Sequence, residues 1–256
     1  MTVAKKYGQI QELRSTIPLS DKVIGLKEAV AADAVNPQLW YELGLAYAEQ
    51  QLYLEAEEAM SEAVSYSPFF TDAFAMKGDY HVRVGRYDEG AADLSMATHL
   101  TITNADYWLK FGIALYLGQE YHRAWRAFEF ALEHNDSDEA KLWFALALLK
   151  QGEFDRSKSV AASASDCRLC KILSGELDAV EAIALATKME DHERVACTYV
   201  AAEYLFACGK CCDKTDYAKA ALNALVPCLD TCWYGYFEHA VRVALKMDAA
   251  VRCVFQ

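Results

Sequence analysis

One residue pattern recurs along this chain at a spacing of 34. Trp40, Leu43, Gly44, Tyr47, Ala56, Met60, Ala63 and Pro68 reappear as Phe74, Lys77, Gly78, His81, Gly90, Leu94, Ala97 and Ile102. They return as Trp108, Phe111, Gly112, Leu115, Ala124, Phe128, Ala131 and Asp136. A fixed period of this length means one supersecondary unit stacked on copies of itself. Within the first copy, Trp40, Leu43 and Tyr47 lie three and four residues apart, as do Ala56, Met60 and Ala63, so each set marks one face of a helix. The unit is therefore a helical hairpin. Small residues at Gly44 and Ala56 stand where its two backbones come closest.

The same logic sets the turns and the extent of the array. Gly85, Gly118 and Gly152, with Gln51 in the first copy, fall between paired helices and suit a left-handed C-terminal residue. Pro68 stops the second helix of the first unit. Tyr53, Tyr87, Tyr121 and Phe154 open successive second helices, which extends the array to a fourth unit from about Asp138 to Ser165. Leu26, Ala29 and Val30 mark a preceding half unit over residues 20–35 with Ser20 as its N-cap. Residues 3–14 are helical by composition and close that end. Beyond residue 166 the pattern weakens: helices are predicted over 178–188, 192–208, 217–226 and 231–247, with a polar turn over 209–215.

The pattern W-x2-L-G-x2-Y, then A-x3-F and a late Pro, resembles the tetratricopeptide repeat (TPR), and the first copy departs from it only at Met60, where the family has an aromatic. The resemblance is clear for about half of the chain. It implies an all-α fold, a TPR-like superhelix of antiparallel helix pairs, that is, an α-solenoid. Three segments follow: residues 1–35 as N-terminal helices and half repeat, 36–165 as about four TPR-like units, and 166–256 as degenerate hairpins forming a cysteine-rich C-terminal cap.

Composition agrees. The 256 residues are 54% hydrophobic with 4 Pro and 12 Gly, enough apolar material for a continuous core and too little Pro or Gly for long linkers. No apolar run reaches the length of a membrane span, and the first residues lack the apolar centre of a signal peptide, so a cytoplasmic location is expected. A net charge of −12 without a Lys/Arg cluster argues against nucleic-acid binding and fits a solvated surface or a basic partner.

Nine cysteines, all after residue 166, suggest reduced thiols rather than a secreted disulfide framework. Cys167 with Cys170, and Cys208 with Cys211 or Cys212, have ligand spacing. If the intervening helices return the chain to one end, four thiolates there could bind zinc tetrahedrally. The long interval between the pairs, and the frequency of cysteine as a small buried hydrophobe, support plain packing instead. No strand-helix alternation of a thioredoxin type precedes either pair, which argues against a redox Cys-x-x-Cys site of that type.

Catalytic patterns are absent from the sequence: no H-E-x-x-H, no Gly-rich phosphate loop and no G-x-S-x-G elbow. His81 stands in a packing position. The expectation is a non-enzymatic adaptor or scaffold, the alternative being a zinc-dependent or small-molecule activity in the cysteine-rich third. The resemblance implies a concave groove lined by first helices, with Tyr41, Leu45, Asp79, Leu109, Ile113 and Tyr116 facing a peptide or helix of a partner protein. The family's clamp for acidic chaperone tails is missing, so an apolar segment is the expected ligand, as for chaperones of this fold that sheath their substrates. The same side chains could instead pack against a C-terminal helix of the chain itself. Gly78 and Gly90 inside helices, with Lys77 at an apolar position, predict that the second unit is the softest and that Gly90→Ala stabilises it.

Overall fold

The computed structural model describes residues 18–165, 167–186 and 188–212, together with 236 and 240; the side chains of 191, 192, 206 and 208–212 fall outside this description. The described residues form α-helices and no strand. These are α1 (Asp21–Ala32), α2 (Pro37–Glu49), α3 (Tyr53–Tyr66), α4 (Thr71–Arg83), α5 (Tyr87–Leu100) and α6 (Ala105–Leu117). Then come α7 (Tyr121–His134), α8 (Asp138–Lys150), α9 (Phe154–Ala162), α10 (Arg168–Ser174), α11 (Ala179–Ala186) and α12 (Asp191–Cys212). Each helix from α1 to α9 packs on the next, and α2–α3, α4–α5, α6–α7 and α8–α9 are the four hairpins. The helices predicted over 3–14 and 217–226, and most of 231–247, lie outside the described residues.

Local chemistry sets the boundaries. Ser20, Asn36, Asn104 and Ser137 cap α1, α2, α6 and α8 by accepting a backbone N–H of the first turn. Tyr53, Tyr87, Tyr121 and Phe154 each occupy the first residue of a second helix. The turn inside every hairpin closes identically. The carbonyls of Tyr47, His81, Leu115 and Leu148 accept the N–H five residues later, at 2.8–3.0 Å. That bond leaves one left-handed residue per turn: Gln51 (φ 60°), Gly85 (φ 85°), Gln119 (φ 68°) and Gly152 (φ 84°). In the third unit the left-handed residue is thus Gln119 and not Gly118, whose φ is −74°.

Indole bonds tie a unit to the turn before it. Trp40 Nε1 donates to the Ala34 carbonyl at 2.8 Å, and Trp108 Nε1 to the Ile102 carbonyl at 2.7 Å. Phe74, the equivalent residue of the second unit, has no such donor. That unit also tolerates Lys77 and His81 at apolar positions through an ionic cluster. Lys77 Nζ lies 3.3 Å from Asp93, and His81 Nε2 lies 3.3 Å from Asp93 and 3.7 Å from Glu57, which also pairs with Arg86 at 3.3 Å. Such a cluster fixes register more than it adds stability.

The last third departs from the sequence reading in two places. A short helix, α10, precedes Gly175, whose left-handed φ of 81° ends it. The polar turn expected over 209–215 does not begin at 209, because α12 continues through Cys212. α12 packs on α10 and α11 and reaches α8. There Lys150 Nζ meets Glu203 Oε1 at 2.5 Å, and Glu203 is only 4% exposed.

Two predictions follow from this packing. A Cβ at Gly90 would lie 2.7 Å from Val82 Cγ2 and 2.9 Å from the Gly78 carbonyl oxygen, and one at Gly78 would lie 2.9 Å from the Gly90 carbonyl oxygen. The expected stabilisation by Gly90→Ala is therefore reversed. Overpacking costs about 1–3 kcal/mol against a helical gain of up to about 1 kcal/mol, so Gly90→Ala should lower Tm in a thermal melt. Lys150→Met should cost about 3–5 kcal/mol by stranding the buried Glu203 carboxylate, measured by urea unfolding. Adding Glu203→Met should recover most of that loss, and a double-mutant cycle isolates the pair.

Candidate functional site

The concave face of the stack is built from α2, α4, α6 and α8, and its character changes along the array. At the first unit, Tyr41, Leu45 and Ala48 are half-buried. The Tyr41 ring lies 4.9 Å from that of Phe70 at an interplanar angle of 39°. Tyr107 donates its hydroxyl to Asp72, joining the third unit to the second across the face. Desolvation, followed by the Asp72 carboxylate, raises the Tyr41 hydroxyl above its ordinary range. The exposed carboxylates Asp72 and Asp106 and the nearby Glu139 make this stretch acidic. Desolvation and then Asp106 push Glu139 up.

Farther along, the face is covered. Ile113 and Tyr116 are 1% and 2% exposed, not an open strip as expected. The cause is α12: the Tyr116 and Tyr199 hydroxyls hydrogen-bond at 2.7 Å, and Trp143 of α8 meets Tyr116 edge-on at 5.4 Å. Burial, then the Glu203 carboxylate, raises both the Tyr116 and Tyr199 hydroxyls well above their ordinary range, and the same two causes lift Tyr121 to about 12. Asp79, expected to face a partner, is 3% exposed. It accepts the Tyr236 hydroxyl and pairs with Arg83 at 2.9 Å. Arg83 also sits over the Tyr236 ring at 5.1 Å, Trp143 approaches that ring at 6.5 Å, and Ala240 is buried in the same core. α12, together with Tyr236 and Ala240, thus covers the groove from the second unit onward. Tyr41, Leu45 and Leu109 are all half-buried and packed against a core cluster on one side, and they are the members of the expected set that stay partly open.

The sequence signal for this cover lies in α8. Its residues from Ala140 to Leu149 are all buried. A helix apolar on every side must be covered on every side.

The cysteine pairs are not brought to one end. Arg168 lies beside Met189 and Cys197, near the start of α12, and Gly175 lies beside Tyr204 farther along it, so α10 and α12 run in the same direction. At 1.5 Å per residue, Cys208 is about 16 Å beyond Cys197 along α12, and Cys211 farther still. The four-thiolate zinc site expected of Cys167 and Cys170 with Cys208 and Cys211 involves side chains outside the described residues, and the helix directions give it no support. Among the described residues, no group of three or more His, Cys, Asp or Glu could hold a metal ion. Among them, too, no helix is long and apolar enough to cross a membrane.

No protein-family model and no curated protein matches the chain. Solved structures do. MamA superposes with a TM-score of 0.53 at 19% identity, over 62% of this chain and 91% of its own. YrrB, a TPR protein with an unusual peptide-binding site, gives 0.52 at 16% identity over 77% and 97%. PilF of Pseudomonas aeruginosa gives 0.51 at 16% identity over 78% and 87%. At these identities the likeness is one of fold, and together with the 34-residue period, the common hairpin turn and the stacked helices it gives this chain the fold of a tetratricopeptide-repeat α-solenoid.

Proposed function

We propose that this protein is a non-enzymatic interaction scaffold that takes an apolar, basic-flanked peptide segment on the first unit of its concave face. One observation carries the reading: the face stays open at Tyr41, Leu45 and Ala48, where its equivalents Ile113 and Tyr116 are buried beneath α12. Aromatic and aliphatic side chains half-exposed in a concavity provide anchor pockets. The Asp72 carboxylate beside Tyr41, with Asp106 and Glu139 farther along the face, favours Lys or Arg next to the apolar anchors. YrrB, which shares the fold, is a peptide binder, and a ligand of the same class suits this groove.

Fluorescence anisotropy with short peptides tests it. Apolar peptides flanked by Lys or Arg should bind and weaken as salt rises, whereas the same peptides flanked by Asp or Glu should not. Tyr41→Ala should reduce affinity about 30-fold, the loss of a hot-spot anchor of about 2 kcal/mol, with helical circular dichroism retained. Unchanged affinity in a Tyr41→Ala, Leu45→Ala double variant would place binding elsewhere.

A further inference from the structure

We propose that Cys167 and Cys170 form a redox-active dithiol that exchanges with small disulfides of the glutathione class and closes to an intramolecular disulfide. The two sulfurs are already partners. Cys167 Sγ accepts the Cys170 N–H at 3.4 Å, and the Cys170 thiol, which donates to the Asp138 carbonyl at 3.9 Å, can turn its proton to the Cys167 sulfur. Closing such a contact requires a sulfur–sulfur bond of about 2.05 Å.

The two thiols are not equivalent, and the difference assigns their roles. Cys167 is partly exposed, while Cys170 is 1% exposed, with its sulfur 3.9 Å from the Asp138 carbonyl oxygen. The hydrogen bond from the Cys170 thiol, helped by the backbone N–H groups of Cys170 and Leu169, holds Cys167 down to about 6 against its own partial burial. Cys170 is pushed up, first by the proton it directs to Cys167 and then by burial. Asp138 opposes the charged form of both cysteines, and Lys141, held 2.8 Å from Asp136, favours that of Cys170. Cys197 is the contrasting case. It is buried, donates to the Ala182 carbonyl at 3.5 Å, and is raised chiefly by burial.

The exchange balances in two steps. The Cys167 thiolate attacks one sulfur of the disulfide RSSR, forming Cys167–S–S–R and releasing RS⁻. Cys170 then gives its proton to a released thiolate, and its sulfur attacks that of Cys167 and displaces the second RS⁻. Two protein thiols are oxidised to one disulfide, and RSSR is reduced to two RSH, the second RS⁻ taking up the proton that Cys167 released on ionising. Position and exposure make Cys167 the attacking sulfur and Cys170 the resolving one.

The experiment uses the full chain, reduced and then exposed to oxidised glutathione, quenched by alkylation and mapped by mass spectrometry. The Cys167–Cys170 disulfide should form before any other, and dithiothreitol should reverse it. At pH 6, iodoacetamide should modify Cys167 about tenfold faster than an ordinary exposed thiol, since its larger thiolate fraction outweighs its lower nucleophilicity. Cys170→Ser should trap glutathione on Cys167. If oxidation maps to other cysteines while Cys167 and Cys170 stay reduced, or if Cys167 alkylates no faster than the rest, the proposal is wrong. The alkylation map of the native chain decides this even where the variant fails to fold.

Discussion

Burial of α8 on all sides is the constraint around which the C-terminal half is arranged. A first helix of a solenoid normally buries one flank against its neighbours and leaves the inner flank to solvent. Ten consecutive buried residues, Ala140 to Leu149, remove that option. α12 supplies the missing cover, with the Lys150–Glu203 pair and the Tyr116–Tyr199 hydrogen bond meeting the polar demands of the contact. Covering α8 also covers Ile113 and Tyr116 of α6, and among the described residues the groove stays most open where the stack begins.

Much of this was legible in residue order. The period, the four hairpins, the Ser20 cap and the aromatic first residue of each second helix follow from positions that satisfy local rules. Nothing beyond a few neighbouring residues is needed to place them. Gln119 was missed because glycine is the expected left-handed residue and Gly118 stood one place away. The turn is set by the Glu120 N–H reaching the Leu115 carbonyl, which counts residues regardless of side chain.

The groove was half legible. Tyr41 and Leu45 lie where the repeat geometry puts them, whereas Ile113, Tyr116 and Asp79 have the same geometry and a different environment. What separates them is a contact made from some 80 residues away by Tyr199, and from about 160 away by Tyr236. Periodicity carries no information at that distance. The apolar run of α8 did, and reading all of its faces together, rather than only its packing positions, would have closed the groove. Likewise Cys167 and Cys208 were expected to meet because a hairpin was assumed. The additional helix α10, ended by Gly175, makes the connection parallel instead.

The absent indole donor at Phe74 bears on how the array comes apart. Trp40 and Trp108 lock their units to the preceding turns, but the junction between the first and second units has no equivalent bond. The junction is held instead by the cluster around Met60 and Tyr80, which spans both units, and by Glu57 of the first unit pairing with His81 and Arg86 of the second. In a linear array the weakest nearest-neighbour coupling marks the boundary between cooperative blocks. That boundary falls where the half repeat meets the first unit through the cluster around Val23 and Leu43, so the half repeat can open while the open end of the groove stays joined to the rest of the stack.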